Sequence, residues 1–197
     1  PVRGHSNVQG DRTMGIWECP RKEFLDNLER VFKFKAPRET GYNTVESIEA
    51  MLNSKISVMI AMGGNFLSAT PDTELTAKAI HNLRLSVQIS TKLNRSHLVT
   101  GNEALILPCL GRSEIDIQLS GAQFQSVENS MGIVHSTQGI LEPASPHLKS
   151  EVSIVCELAN VLVGEHPINW LDVQNDYDKI RELISLTIPG FESYNQK

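Results

Sequence analysis

Several things are missing from this sequence of 197 residues, and each absence removes a class of function. No apolar run approaches the roughly 20 residues that cross a bilayer, so a membrane segment is not expected. The longest such run, Ile56 to Met62, has the length of a strand. There is no cationic excess: 18 Lys and Arg stand against 23 Asp and Glu, for a net charge of −5. A nucleic-acid binder, which carries a basic face, is therefore not expected either. Cysteine is scarce, with Cys19, Cys109 and Cys156 far apart and odd in number. That excludes a disulfide framework and a Cys-x-x-Cys metal clamp, and fits a reducing, cytoplasmic setting. The six histidines show no ligand spacing, so no metal site is expected. No Gly-x-Ser-x-Gly elbow, Gly-x-Gly-x-x-Gly turn or Walker sequence occurs, which removes the usual signals for serine hydrolysis, NAD binding and ATP binding.

What is present reads as an α/β chain. Residues 1–18 are polar and glycine-rich, and predict an irregular segment. Pro20 opens a helix to about Phe32, with Phe24, Leu25, Leu28, Val31 and Phe32 on one face. Val45, Ile48, Met51 and Leu52 give a second amphipathic helix. Ile56 to Met62 predicts a strand buried on both faces of a parallel sheet. A helix from Asp72 to Leu83 and a strand Leu85–Ile89 follow. The polar stretch 90–102 leaves room for one short helix before a third buried strand, Ala104–Leu107. Repeated strand–helix–strand order with short joints is the mark of a right-handed parallel unit. From Ile115 to Gly139 the short alternating pieces predict loops and small antiparallel excursions. Two helices close the chain, from Ser150–Glu151 to Val163 and from Asp176 to Leu186. Cys109 and Cys156 read as small buried hydrophobes, and the paired acids Glu114 and Asp116 as a solvated face.

Ligands of open parallel sheets bind outside the carboxyl ends of the strands. Three loops lie there: Gly63-Gly64-Asn65, Gln88 to Asn94, and Pro108-Cys109. Glycines without Cβ atoms let a backbone turn sharply and approach a phosphate or a flat ring. The same glycines also suit an ordinary tight turn. The run from Ser90 to His97 offers hydroxyls, an amide, two cations and an imidazole to a ribose, a base edge or a diphosphate. It equally suits a solvated loop that caps a helix.

Two stretches carry a resemblance. Asn7-Val8-Gln9-Gly10 resembles the segment that leads into the third domain of formate dehydrogenase catalytic subunits. Ala61-Met62-Gly63-Gly64-Asn65-Phe66, Ser90 to His97, and Ile106 to Arg112 resemble a formate-dehydrogenase-like branch of the dimethyl-sulfoxide-reductase superfamily. The resemblance runs to Gly190-Phe191. It implies a Rossmann-like, mostly parallel sheet with helices on both faces, preceded by a lead-in segment over 1–18, the domain itself covering 19–197. It further implies a parent molybdopterin oxidoreductase of the formate-dehydrogenase-like kind, with formate dehydrogenase activity as the implied reaction. The parent's molybdenum sits between two molybdopterin guanine dinucleotides, with an iron–sulfur cluster ([4Fe-4S]) as an optional addition outside this segment. The implied partners are the remaining domains of that parent.

Carried over by position, Gln9 is implied to lie near the pterin. Gly63, Gly64 and Asn65 match the turn against the dinucleotide, and Gln88 the strand-end residue near the guanosine. Relatives often follow that residue with Asp, where this chain has Ile89. Ser90, Thr91 and Asn94 fall in the following loop. Cys109 stands where relatives often place Ser, and Glu151 matches an acidic residue suited to guanine N–H groups. No residue here matches a molybdenum ligand, so the segment alone is expected to be catalytically incomplete. Two other readings stay open: an independent nucleotide-binding module, such as the central domain of a thiamine-diphosphate enzyme, and a non-catalytic interaction domain.

Overall fold

The computed structural model describes residues 8–196. The Asn7 end of the lead-in motif lies outside the described residues. In chain order the elements are α1 (Val8–Thr13), α2 (Lys22–Phe32), α3 (Thr44–Leu52), β1 (Val58–Met62), α4 (Phe66–Ala69), α5 (Thr73–His81) and β2 (Leu85–Ser90). A short 3-10 helix, Arg95–Leu98, precedes β3 (Glu103–Pro108). Then come β4 (Ile117–Gln118), β5 (Gly121–Ala122), β6 (Gln125–Glu128), β7 (Val134–Thr137), α6 (Glu151–Val163), α7 (Trp170–Asn175) and α8 (Tyr177–Thr187). The fold is α/β, with a three-stranded parallel sheet and two small antiparallel sheets.

Local chemistry explains most boundaries. Asn43 caps α3 reciprocally: its side chain accepts from Glu46 N, and Glu46 accepts from Asn43 N, both at 3.0 Å. Asp72 caps α5 by accepting from Leu75 N at 2.9 Å. Asn169 and Asp176 do the same for α7 and α8. The irregular reading of residues 1–18 is corrected over Val8–Thr13, which form α1. This stretch has no apolar stripe to betray a helix.

The chain divides into two compact units: one of residues 1–41, 112–144 and 152–197, the other of 42–111 and 145–151. In the second unit the sheet order is β1-β2-β3. Its core gathers Ile48 and Met51 of α3, Leu67 of α4, Ala79 and Ile80 of α5, and Leu83, with half-buried Met59 of β1 packed against them. Ile80 and Leu83 are almost wholly buried, and burying each such side chain contributes about 1.5–3 kcal/mol.

Two strands depart from expectation. β1 was expected to be buried on both faces, yet Val58, Ile60 and Met62 are exposed while Met59 and Ala61 are half-buried. Strand side chains alternate between faces, and the core of α3 and α5 lies on the side of Met59. β3 is likewise exposed along most of its length rather than buried. A continuous apolar run shows that both faces are apolar; it does not supply the layers that cover them. Only the central strand, β2, is buried from Ser86 through Ile89.

The first unit holds two hairpins, β4–β5 and β6–β7, both antiparallel. Asp116, expected on a solvated face, is instead buried. Its carboxylate accepts from the Tyr177 hydroxyl and, at 2.6 Å, from Gln118 Nε2. Tyr177 N donates to Gln123 Oε1 at 2.9 Å, so the hairpin and the start of α8 are fastened twice. Sequence proximity of two acids suggested solvent, but the partner that makes burial tolerable is 61 residues away.

Candidate functional site

The carboxyl ends of the strands form one continuous hydrogen-bonded edge. Gly63 N donates to Ile89 O at 2.8 Å, Cys109 N to Ser90 O at 3.2 Å, and Leu110 N to Lys149 O at 2.9 Å. Lys149 also bridges Cys109 in parallel, which sets Ser150 and Glu151, the first residue of α6, just beyond the end of β3. Gly63, Gly64, Asn65, Gln88, Ser90, Thr91, Cys109 and Glu151 thus belong to one edge of one sheet in one unit. Gln9 belongs to the other unit, where its Nε2 donates to Glu128 Oε1 at 3.2 Å.

The turn after β1 depends on its two glycines. Gly63 has φ +66° and Gly64 φ +68°, the left-handed region that side chains disfavour. A Cβ at either position would meet nothing within 4 Å, so the glycines serve conformation and leave open space above the backbone. No described residue accepts a hydrogen bond from Gly64 N or Asn65 N. Successive unpartnered N–H groups in such a turn form a concavity suited to an anion.

Behind the turn, Ser96 joins three segments. Its hydroxyl donates to Asn65 Oδ1 at 2.7 Å and accepts from Leu67 N at 3.0 Å. Its carbonyl accepts from Gln88 Nε2 at 2.9 Å. Asn94 donates from Nδ2 to Gly64 O at 2.8 Å and accepts from Ser96 N at 2.9 Å. Gln88 is 4% exposed and Cys109 2%. Asn65, Gln88 and Asn94, three polar residues matched to the cofactor by position, therefore spend these groups on shaping the turn. Gly63, Gly64 and Thr91 are exposed, and Ser90 and Glu151 half-buried, so these keep access to solvent. Ser90 Oγ itself donates to Lys92 O at 2.8 Å.

Ser96 and His97 belong to the run offered from the sequence but were not matched to the cofactor by position, because a polar run gives no sign of which member turns inward. His97 is 9% exposed; its Nδ1 accepts from Asn94 N at 2.9 Å, and its buried Nε2 has no partner among the described residues. The space enclosed beside it, under the glycine turn, is about 10 Å³, water-sized at most. That space has no room for a nucleotide. Among the described residues no group of three or more His, Cys, Asp or Glu side chains is arranged to hold a metal ion.

Comparison with known proteins gives the geometry a context. The chain is 52% identical over its full length to the "uncharacterized oxidoreductase" Rv2900c of Mycobacterium tuberculosis, and equally to Mb2924c of Mycobacterium bovis. It is 45% identical over its full length to the protein YdeP of Escherichia coli. The chain spans about a quarter of the length of these relatives, 25% of the mycobacterial proteins and 26% of YdeP. No family model matches the sequence. No helix among the described residues is long and apolar enough to cross a membrane.

Proposed function

We propose that this chain is the cofactor-binding domain of a larger oxidoreductase, molybdenum-dependent and formate-dehydrogenase-like, and that it holds one molybdopterin guanine dinucleotide. The observation that carries the reading is the Gly63-Gly64 turn. It is left-handed at both residues, open above, and presents two unpartnered backbone N–H groups at the carboxyl edge of a parallel sheet. The full-length similarity to two proteins named as oxidoreductases supports the redox class. The residues fit the dinucleotide in part. The turn suits a diphosphate, Ser90 and Thr91 suit a ribose, and Glu151 offers a carboxylate to guanine N–H groups. Gln88 does not fit a direct guanosine contact, because its amide is buried and committed to Ser96 O.

When bound, the cofactor supplies two-electron redox chemistry at its metal. The work of this chain is positional. Gly64 N and Asn65 N bind phosphate oxygens, Ser96 and Asn94 keep the turn in its binding shape, and Glu151 orients the base. Fixed N–H donors need no rearrangement on binding. The remaining domains of the parent hold the rest of the ligand and supply the reacting groups.

Elemental and nucleotide analysis of the full-length protein tests this. Molybdenum and acid-released GMP are expected together in the unsubstituted protein, and both are expected to fall sharply in Gly64→Val. A full-length protein carrying NAD, thiamine diphosphate or no nucleotide would refute the assignment.

A further inference from the structure

The first unit contains a cavity of about 380 Å³ that the glycine turn does not touch. Its volume falls at the lower end of the range for small-molecule sites, roughly 300–1,000 Å³. The lining is chemically mixed in a particular way. Arg12 and Arg21 bring two guanidinium groups against one carboxylate, Glu23, in a chain whose net charge is −5. Trp17 and Phe24 bring two aromatic rings, and Ile188 and Pro189 an apolar wall.

The cations are available. The Arg21 side chain makes no hydrogen bond or ion pair with a described residue. Arg12 Nη1 lies 3.3 Å from Glu18 Oε2, but both side chains are more than two-fifths exposed, and such pairs are weak. The Arg12 guanidinium also lies over the Trp17 ring, 5.5 Å from its centre, which orients the fork while leaving most of its N–H donors unused. The aromatic wall is held by Gly15. At φ +80°, a Cβ there would come within 2.7 Å of the Phe24 ring, so the glycine is what admits the ring.

We propose that this cavity binds a planar aromatic phosphate of nucleoside-monophosphate size. Arg12 and Arg21 grip the phosphate, because a planar fork matches its oxygens in pairs. Trp17 and Phe24 face the ring, and Ile188 and Pro189 exclude water from its far side. The site stands apart from the dinucleotide reading: it shares no residue with the glycine turn and survives if that reading fails.

Calorimetric titration of the full-length protein with AMP tests the proposal. One saturable site is expected, with adenosine and inorganic phosphate each binding more weakly than AMP. Losing a charge-assisted contact typically weakens binding about tenfold or more, so Arg12→Ala and Arg21→Ala are each expected to do so. Gly64→Val is expected to leave the AMP affinity unchanged, which separates this site from the glycine turn. The proposal is overturned if AMP shows no saturable binding. It is equally overturned if both arginine variants, with unchanged melting temperatures, bind AMP as the unsubstituted protein does.

Discussion

Both units bury polar side chains in hydrogen-bonded networks, but the two networks end differently. In the first unit, Asp116, Gln118, Gln123 and Tyr177 satisfy one another between the β4–β5 hairpin and α8. In the second, Gln88, Ser96, Asn94 and Asn65 also bond one another, yet the chain of contacts terminates at Gly64, whose N–H has no partner among the described residues. A closed network fixes a fold. A network that stops at exposed donors fixes a fold and also holds those donors ready for a ligand. On the proposed reading, the polar side chains of this loop shape the turn and its backbone donors meet the ligand.

The largest expected effect belongs to the closed network. Asp116→Ala leaves the Tyr177 hydroxyl and a Gln118 amide proton without their buried acceptor. Destabilisation of roughly 2–6 kcal/mol is expected in chemical denaturation, since each of the two orphaned groups costs about 1–3 kcal/mol. Molybdenum content per folded molecule should not change. If it falls, the closed network is not merely structural and the contrast fails.

Ser96→Ala removes two bonds, to Asn65 Oδ1 and from Leu67 N, and keeps the carbonyl that serves Gln88. A loss of roughly 1–3 kcal/mol is expected from the unsatisfied buried N–H. Here GMP content should fall as well, because the glycine turn loses its backing. Gly64→Ala sharpens the point: its new Cβ meets nothing within 4 Å, so only the left-handed backbone resists, at about 1–2 kcal/mol. Its effect on GMP content should exceed what that small destabilisation explains.

The smallest effect comes from the surface ion cluster of the first unit. Hydrogen bonding to Arg38 first, and to Ala36 N, holds the Glu29 carboxyl below its ordinary 4.5. A carboxylate lowered in the folded state adds stability above its unfolded pKa and loses it as pH falls through the folded value. Melting temperature should therefore drop slightly more for the unsubstituted protein than for Glu29→Gln between pH 5 and pH 3. An equal drop would show that the pair contributes nothing.

Much of this contrast was legible in the sequence, and the rest was not for identifiable reasons. The order of β1, α5, β2 and β3 followed from apolar runs separated by caps such as Asp72, because these signals are local. The Gly63-Gly64 turn was legible as a turn, since few residue types accept a left-handed backbone twice in succession. Asp116 was misread because its partner Tyr177 is remote, and the exposure of β1 because apolar runs do not report their neighbours. Gln88 was matched to a strand-end position, whereas it lies two residues inside the end of β2, and its inward hydrogen bond to Ser96 O depends on how the 3-10 helix folds back, which no local pattern encodes.

Amide hydrogen exchange, compared between cofactor-loaded and cofactor-stripped full-length protein, asks the central question at single residues. Strong slowing is predicted at Gly64 and Asn65 on loading, with no change at Gln118 and Tyr177. Equal exchange at Gly64 and Asn65 in the two states would contradict the assignment of this turn to the dinucleotide.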